Sequence, residues 1–235
     1  MKKLIMCDLD NTLLPLITQD KFVEIWFRDV ARKFLEHGLD PSKALHAMND
    51  GCRAMLLNKG EKLNIEVFYD IVCEHSGYKR ADIEPVLDDY YSSTFVNVRQ
   101  IARENPHAVT IARLMREKAE HAVIATMPLF PIEACDMRMS WVGLRADMFD
   151  LVTTCDYSRY SKPSTEYFAQ IMESFGAKPE ETLMIGNDVR EDMQPCEKLG
   201  IETFLVTDYM LTHDLDYDRF RRGSYEDLTG FLNSI

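Results

Sequence analysis

Five short runs of apolar and β-branched residues, at 3–9, 121–126, 151–154, 182–187 and 202–207, alternate with stretches of helical periodicity. Strands that are apolar on both faces must be covered on both, and strands separated by helices pair in parallel. That combination leaves an α/β fold: a doubly wound, Rossmann-like parallel sheet with right-handed crossovers. The helix signals agree. Asn105 and Pro106 form a cap and first-turn pair ahead of Val109, Ile111, Ala112, Leu114 and Met115. Ser164 caps a helix whose stripe is Phe168, Ile171, Met172 and Phe175, stopped by Gly176. A shorter helix ends at Gly200, with Pro195 tolerated in its first turn.

Residues 15–101 break the alternation, because they carry no strand pattern. Phe22, Val23, Trp26, Phe27, Val30, Ala31, Phe34 and Leu35 make an apolar helical stripe ended by Gly38, and further helices fit 41–58, 64–75 and 81–95. The chain therefore reads as an α/β core, residues 1–14 and 102–235, split by an inserted helical domain over 15–101. Both parts suit compact domains. Trp26, Phe27, Trp141 and the 13 methionines are assigned to packing, and His121 to a structural role.

Charge narrows the partners. Against 39 Asp plus Glu stand 27 Lys plus Arg, a formal charge of −12. Nucleic acid and anionic membranes demand a basic face, so neither is expected. A small anionic substrate needs only one Lys, a few backbone N–H groups and a cation. Six scattered cysteines show no C-x-x-C pair and no zinc-like pairing with the six histidines, so they read as reduced thiols. The opening apolar run stops at Asp8, too short for a signal-peptide core, and no stretch approaches the ~20 apolar residues of a membrane span. A cytoplasmic location is expected, and oligomeric state is left open.

Four chemically capable groups lie at or just beyond the carboxyl ends of different expected strands, the edge where open parallel sheets bind ligands. The first is Asp8-Leu9-Asp10-Asn11-Thr12, whose two carboxylates repel unless a cation or a shared proton relieves them. The second is Thr126, with a hydroxyl and a following N–H suited to a phosphate oxygen. The third is Lys162, just before a helix N-terminus where an anion is favoured. The fourth is Gly186-Asn187-Asp188-Val189-Arg190-Glu191-Asp192, whose Asp188 and Asp192 offer oxygen ligands to a hard cation. Each has an ordinary reading alone: a solvated turn, a strand-ending Thr, an exposed Lys, an acidic helix cap. Together, on one edge and in this order, they point to chemistry.

In order and placement these motifs resemble those of the haloacid dehalogenase superfamily of phosphotransferases. The resemblance covers the whole core, and the helical insertion looks like that superfamily's helical cap. It implies that Asp8 is the nucleophile and Asp10 the acid/base, and that Thr126 and Lys162, with Thr12, bind phosphate. It also implies Mg²⁺ held by Asp8, the Asp10 backbone carbonyl and Asp188. Asp192 matches the second acidic position of the last motif, and the spacing from Asp188 is kept. Asn187 departs from the pattern, standing where many members run glycine straight into the aspartate. Asn187 and Asp192 are expected to support the metal ligands. Dehalogenating members lack an Asp at the position of Asp10, having no poor leaving alkoxide to protonate.

The expected activity is thus Mg²⁺-dependent hydrolysis of a small phosphate monoester through an aspartyl-phosphate. A phosphomutase that returns the phosphoryl group to a sugar is the alternative enzyme. A non-enzymatic phospho-acceptor, such as a receiver-type domain, is the alternative of a different class. Its layout fits poorly, because a receiver's phosphorylated Asp resembles one after the third strand.

Overall fold

The computed structural model describes residues 1–235, the side chain of Gln19 excepted. Strands β1 (Lys2–Cys7), β2 (Ala119–Ile124), β3 (Leu151–Val152), β4 (Thr182–Gly186), β5 (Glu202–Val206) and β6 (Arg222–Gly223) pair in parallel in the order β3-β2-β1-β4-β5-β6. All five expected strands form. Each ends one or two residues before the apolar run does, and Asp8, Thr126 and Asn187 stand just past the ends of β1, β2 and β4 at the carboxyl edge. The sixth, β6, is a two-residue edge strand with no apolar run to announce it. The chain leaves β1 in both directions, so the β1–β4 boundary is the switch point where such sheets open a crevice.

Period-two alternation along β1 divides the core. Leu4 and Met6 join Val123, Met184 and Leu205 against α7 (Thr165–Ser174) and α8 (Gln194–Leu199). Ile5 and Cys7 face the other way, toward α5 (Ala108–Lys118) and α9 (Tyr225–Ser234). Between β2 and β3 lies α6 (Ile132–Ser140), a helix not anticipated from the sequence.

Between β1 and α5 the chain is helical, as expected. Thr18 caps α1 (Gln19–Glu36) by accepting the Lys21 N–H at 3.2 Å. Asp40 caps α2 (Pro41–Leu56), whose first residue is proline. The Glu66 carboxylate accepts the Leu63 N–H at 2.7 Å at the start of α3 (Asn64–Ser76). Helices α2 and α3 pack closely because Gly51 has no Cβ to meet Phe68 and Val72. The helix expected over 81–95 is α4 (Arg80–Asp89), continued by a widened π-turn at Tyr90–Thr94 and a tight 3₁₀ segment at Phe95–Ile101.

The two connections to this helical segment lie side by side. Ile17 N donates to Ile101 O at 2.8 Å and Arg103 N to Pro15 O at 2.9 Å. The Asn105 side chain adds a bond to Leu13 O at 2.9 Å. The α2–α3 connection also docks on the core beside Lys162: Asn64 N donates to Ser158 O and Ile65 N to Cys155 O, both at 2.8 Å. No helix among the described residues is long and apolar enough to cross a membrane.

Candidate active site

Asp8 follows β1 directly, and its N–H donates to Ile185 O of β4 at 2.9 Å, so the ladder itself places this carboxylate at the switch point. Both carboxylate oxygens are held. Lys162 Nζ donates to Oδ1 at 2.8 Å, and Thr12 Oγ1 lies 2.9 Å from Oδ2. The Thr12 hydroxyl also lies 3.0 Å from Asn187 Oδ1. Asn187 Nδ2 donates to Tyr209 O at 2.8 Å, which leaves its oxygen facing Thr12. A hydroxyl has one proton, so Thr12 serves two acceptors in turn and ties the β1 loop to the β4 loop.

Lys162 is 2% exposed and donates a second bond to Asp192 Oδ1 at 2.7 Å. Desolvation alone pushes a buried lysine toward neutrality, but the Asp192 and Asp8 carboxylates outweigh it and hold the ammonium well above its ordinary range. Burial pushes the Asp192 carboxyl up to about 8, with Lys162 opposing and Asp8 adding. Asp192 Oδ2 accepts the Asp188 N–H at 3.1 Å, and Gly186 leaves the room for it, since a Cβ there would overlap the Asp192 side chain.

Asp188 caps the turn that leads into α8. Its Oδ1 accepts the N–H groups of Arg190 and Glu191 at 2.8 and 2.9 Å. Its Oδ2 lies 2.8 Å from His213 Nε2. Thr126 is fully buried, its carbonyl accepts from Thr153 Oγ1 and Tyr167 Oη at 2.8 Å each, and its own hydroxyl oxygen has no partner among the described residues. An orphaned buried hydroxyl at a strand end leaves a donor for a ligand oxygen.

Asp10 has a partner that sequence reasoning missed. Arg138 Nη1 of α6 lies 2.6 Å from Asp10 Oδ2, and Arg138 is 1% exposed. Its guanidinium also rests over the Phe130 ring, 4.7 Å from the centroid. Asp10 Oδ1 and Arg138 Nε are buried without partners among the described residues. Burial raises the Asp10 carboxyl pKa, Arg138 opposes, and Asp8 adds to the rise; the net direction is upward. A sequence signal for Arg138 did exist, in an arginine flanked by apolar residues within 132–140, but nothing local gave it a partner. His213 was likewise unannounced. It sits in a loop where it and Asp214 adopt left-handed φ values of 51° and 58°.

The residues suit a hard divalent cation. Asp8 and Asp188 end neighbouring strands, their donors are all oxygen, and the Asp10 carbonyl accepts no backbone hydrogen bond among the turn and loop residues. No group of three or more His, Cys, Asp or Glu side chains is arranged as a cage among the described residues, so side chains alone would not complete a cation's coordination here.

With this geometry in hand, comparison with known proteins is informative. The family model described as haloacid dehalogenase-like hydrolase matches residues 5–206. The glyceraldehyde 3-phosphate phosphatase of Methanocaldococcus jannaschii is 26% identical over 239 residues, covering 100% of this chain and 99% of that protein. Among solved structures, 2-haloacid dehalogenase from Pseudomonas syringae pv. Tomato superposes with a TM-score of 0.63 at 15% identity, over 100% of this chain and 99% of that one. The HAD-hydrolase YfnB of Bacillus subtilis, solved with magnesium bound, gives 0.53 at 17% identity and 99% coverage of both chains.

Proposed function

Because this chain belongs to the haloacid dehalogenase-like hydrolase family, we propose that its site hydrolyses a small phosphate monoester with Mg²⁺. The observation that carries this reading is the Asp8 carboxylate at the switch point, held on both oxygens, with Asp10, whose carboxyl pKa is raised by burial, two residues away. Phosphatase relatives support it, one matching along the whole chain and another over 86% of it.

Asp8 attacks phosphorus in line, and the ester P–O bond breaks as the Asp8–phosphorus bond forms. Asp10, its carboxyl raised, gives its proton to the leaving alkoxide, then takes one from the water that attacks the aspartyl-phosphate. Lys162 and the Thr126 hydroxyl bind the phosphate oxygens. Asp8, the Asp10 carbonyl and Asp188 would hold Mg²⁺, which supplies charge neutralisation on those oxygens. Thr12 is given a different role from the phosphate contact that the family resemblance implies. Its hydroxyl is committed to Asp8 and Asn187, so it orients the nucleophile. Asp192 positions Lys162, and Arg138 positions Asp10. Asp10 also favours hydrolysis of an ester over dehalogenation, since a carboxylic acid serves a poor leaving group.

Residues 15–101 act as a cap over this edge. The paired connections at 15–17 and 101–103 let the helices move as one body, and closure excludes water and macromolecular substrates. The test is phosphate release over a panel of sugar phosphates, phospho-acids and aryl phosphates with Mg²⁺, using Asp8→Asn as the control. Turnover of at least one small ester by the wild type, abolished in the folded variant, is expected. Retention of more than a few per cent by Asp8→Asn sinks covalent catalysis here, and dependence on a bisphosphate activator would favour the mutase.

A further inference from the structure

A cavity of about 840 Å³ lies between the helical segment and the core. Phe22, Trp26 and Phe27 of α1, Phe68 and Tyr69 of α3, and Phe130 of the loop after β2 supply much of its wall. Phe130 is shared with the catalytic machinery, because the Arg138 guanidinium that holds Asp10 rests over the same ring. Phe130 and then Arg138 thus link the cavity wall to Asp10, the group that protonates the leaving alkoxide.

Its charges are one-sided. Arg80 is its cationic side chain among the described residues, and it is already engaged, with Nη2 2.7 Å from Glu84 Oε1 and its guanidinium 4.3 Å from the Tyr69 centroid. Asp89 is likewise engaged by Lys33 and His37. Asp88, Glu133 and Asp156, at the exposed rim, have no hydrogen-bond or ion-pair partner among the described residues. Two of the acidic groups crowd Asp88: desolvation first, then Glu84 and Glu133, hold its carboxyl above its ordinary range. A substrate with a second anionic group meets no free cation here and faces three free carboxylates. Aromatic faces with carboxylates beside them are the surroundings that attract an organic cation. The volume falls within the range of pockets that enclose drug-sized ligands, well beyond the needs of a three-carbon chain.

Given the phosphatase reading above, we propose that this cavity receives the leaving group, and that the substrate is the phosphate monoester of a bulky, apolar or aromatic alcohol bearing a cationic amine. Selection works by attraction at the rim and by rejection of anions, which find their charge unpaired there.

Three esters of matched size separate the possibilities: para-(aminomethyl)phenyl, para-ethylphenyl and para-(carboxymethyl)phenyl phosphate. The expected order of kcat/KM is cationic, neutral, anionic, with the first ahead of the last by about tenfold or more, the size that screened, partly exposed charges allow. In a protein carrying Asp88→Asn and Glu133→Gln, that ratio should fall by about threefold or more. An anionic ester hydrolysed as well as the cationic one, or a ratio the double variant leaves unchanged, overturns the proposal. So does faster turnover of glyceraldehyde 3-phosphate than of every aryl ester. Calorimetric binding of the free phenols reads the cavity without turnover. Preference for para-(aminomethyl)phenol over its carboxymethyl counterpart supports the cation-selective cavity even if no ester is hydrolysed, in which case the phosphatase reading alone falls. Absence of that preference overturns the cavity proposal even if esters are hydrolysed.

Discussion

Replacing Lys162 with methionine keeps the length of the side chain and removes the cation between Asp8 and Asp192. In the wild type the ammonium lies 2.8 Å from one carboxylate and 2.7 Å from the other, and all three side chains are at most 10% exposed. Breaking a buried ion pair by deleting one partner costs about 3–5 kcal/mol, because the remaining charge has neither water nor a counter-ion. For a chain of this length that corresponds to a fall in Tm of about 6–20 °C. Protonation limits the damage. Burial holds the Asp192 carboxyl above its unfolded value even with Lys162 beside it, so this group stabilises the variant at low pH and loses that contribution as pH rises through the raised value. The deficit relative to wild type is therefore expected to be larger at pH ~8.5 than at pH ~5.5. Urea unfolding followed by circular dichroism at both pH values measures it, with phosphate release measured in parallel. Adding Asp192→Asn removes one of the two crowded charges, so the double variant should recover at least half of the lost stability while staying inactive. A single-variant loss below about 1 kcal/mol, or a double variant no more stable than the single, would refute the view that Lys162 stabilises the buried pair Asp8 and Asp192 by bridging them.

Gly186→Ala places a methyl group against the Asp192 side chain, which Lys162 and the Asp188 N–H hold in place. A loss of about 1–3 kcal/mol is expected, and unchanged stability on thermal melting would show that Asp192 is free to move. EDTA should abolish phosphate release and Mg²⁺ restore it, while Asp188→Ala should raise the Mg²⁺ concentration for half-maximal activity at least tenfold; full activity in EDTA contradicts the metal assignment. Arg138→Met should lower kcat for an aryl phosphate more than tenfold with little change in KM, and Arg138→Lys should restore part of it; a pure rise in KM would mean that Arg138 does not act through Asp10. Phosphopeptides should stay unhydrolysed while small esters turn over, and equal rates on both would remove the cap from residues 15–101.

What could be read directly from the sequence was whatever repeats along a single element. Two-face apolar runs separated by helical stripes specify a parallel sheet, because a strand buried on both sides cannot hide its pattern. The same runs placed Asp8, Thr126 and Asn187-Asp188 at strand ends, and the structure brings Asp8, Lys162, Asp188 and Asp192 together at that edge. Even the long helical segment was legible, although the π-turn at Tyr90–Thr94 was not, since a widened turn keeps nearly the same apolar stripe. Tertiary structure decided everything that depends on how distant elements sit relative to one another. Asp10 and Arg138 are 128 positions apart, and Lys162 and Asp8 are 154 apart. No local periodicity records which charge faces which. The same holds for Thr12, whose hydroxyl is committed to Asp8 and Asn187, and for the cavity, whose aromatic wall looks in the sequence like ordinary core. Helical and strand periods describe which side of an element is apolar, whereas ion pairs and cavities arise only where two finished surfaces meet.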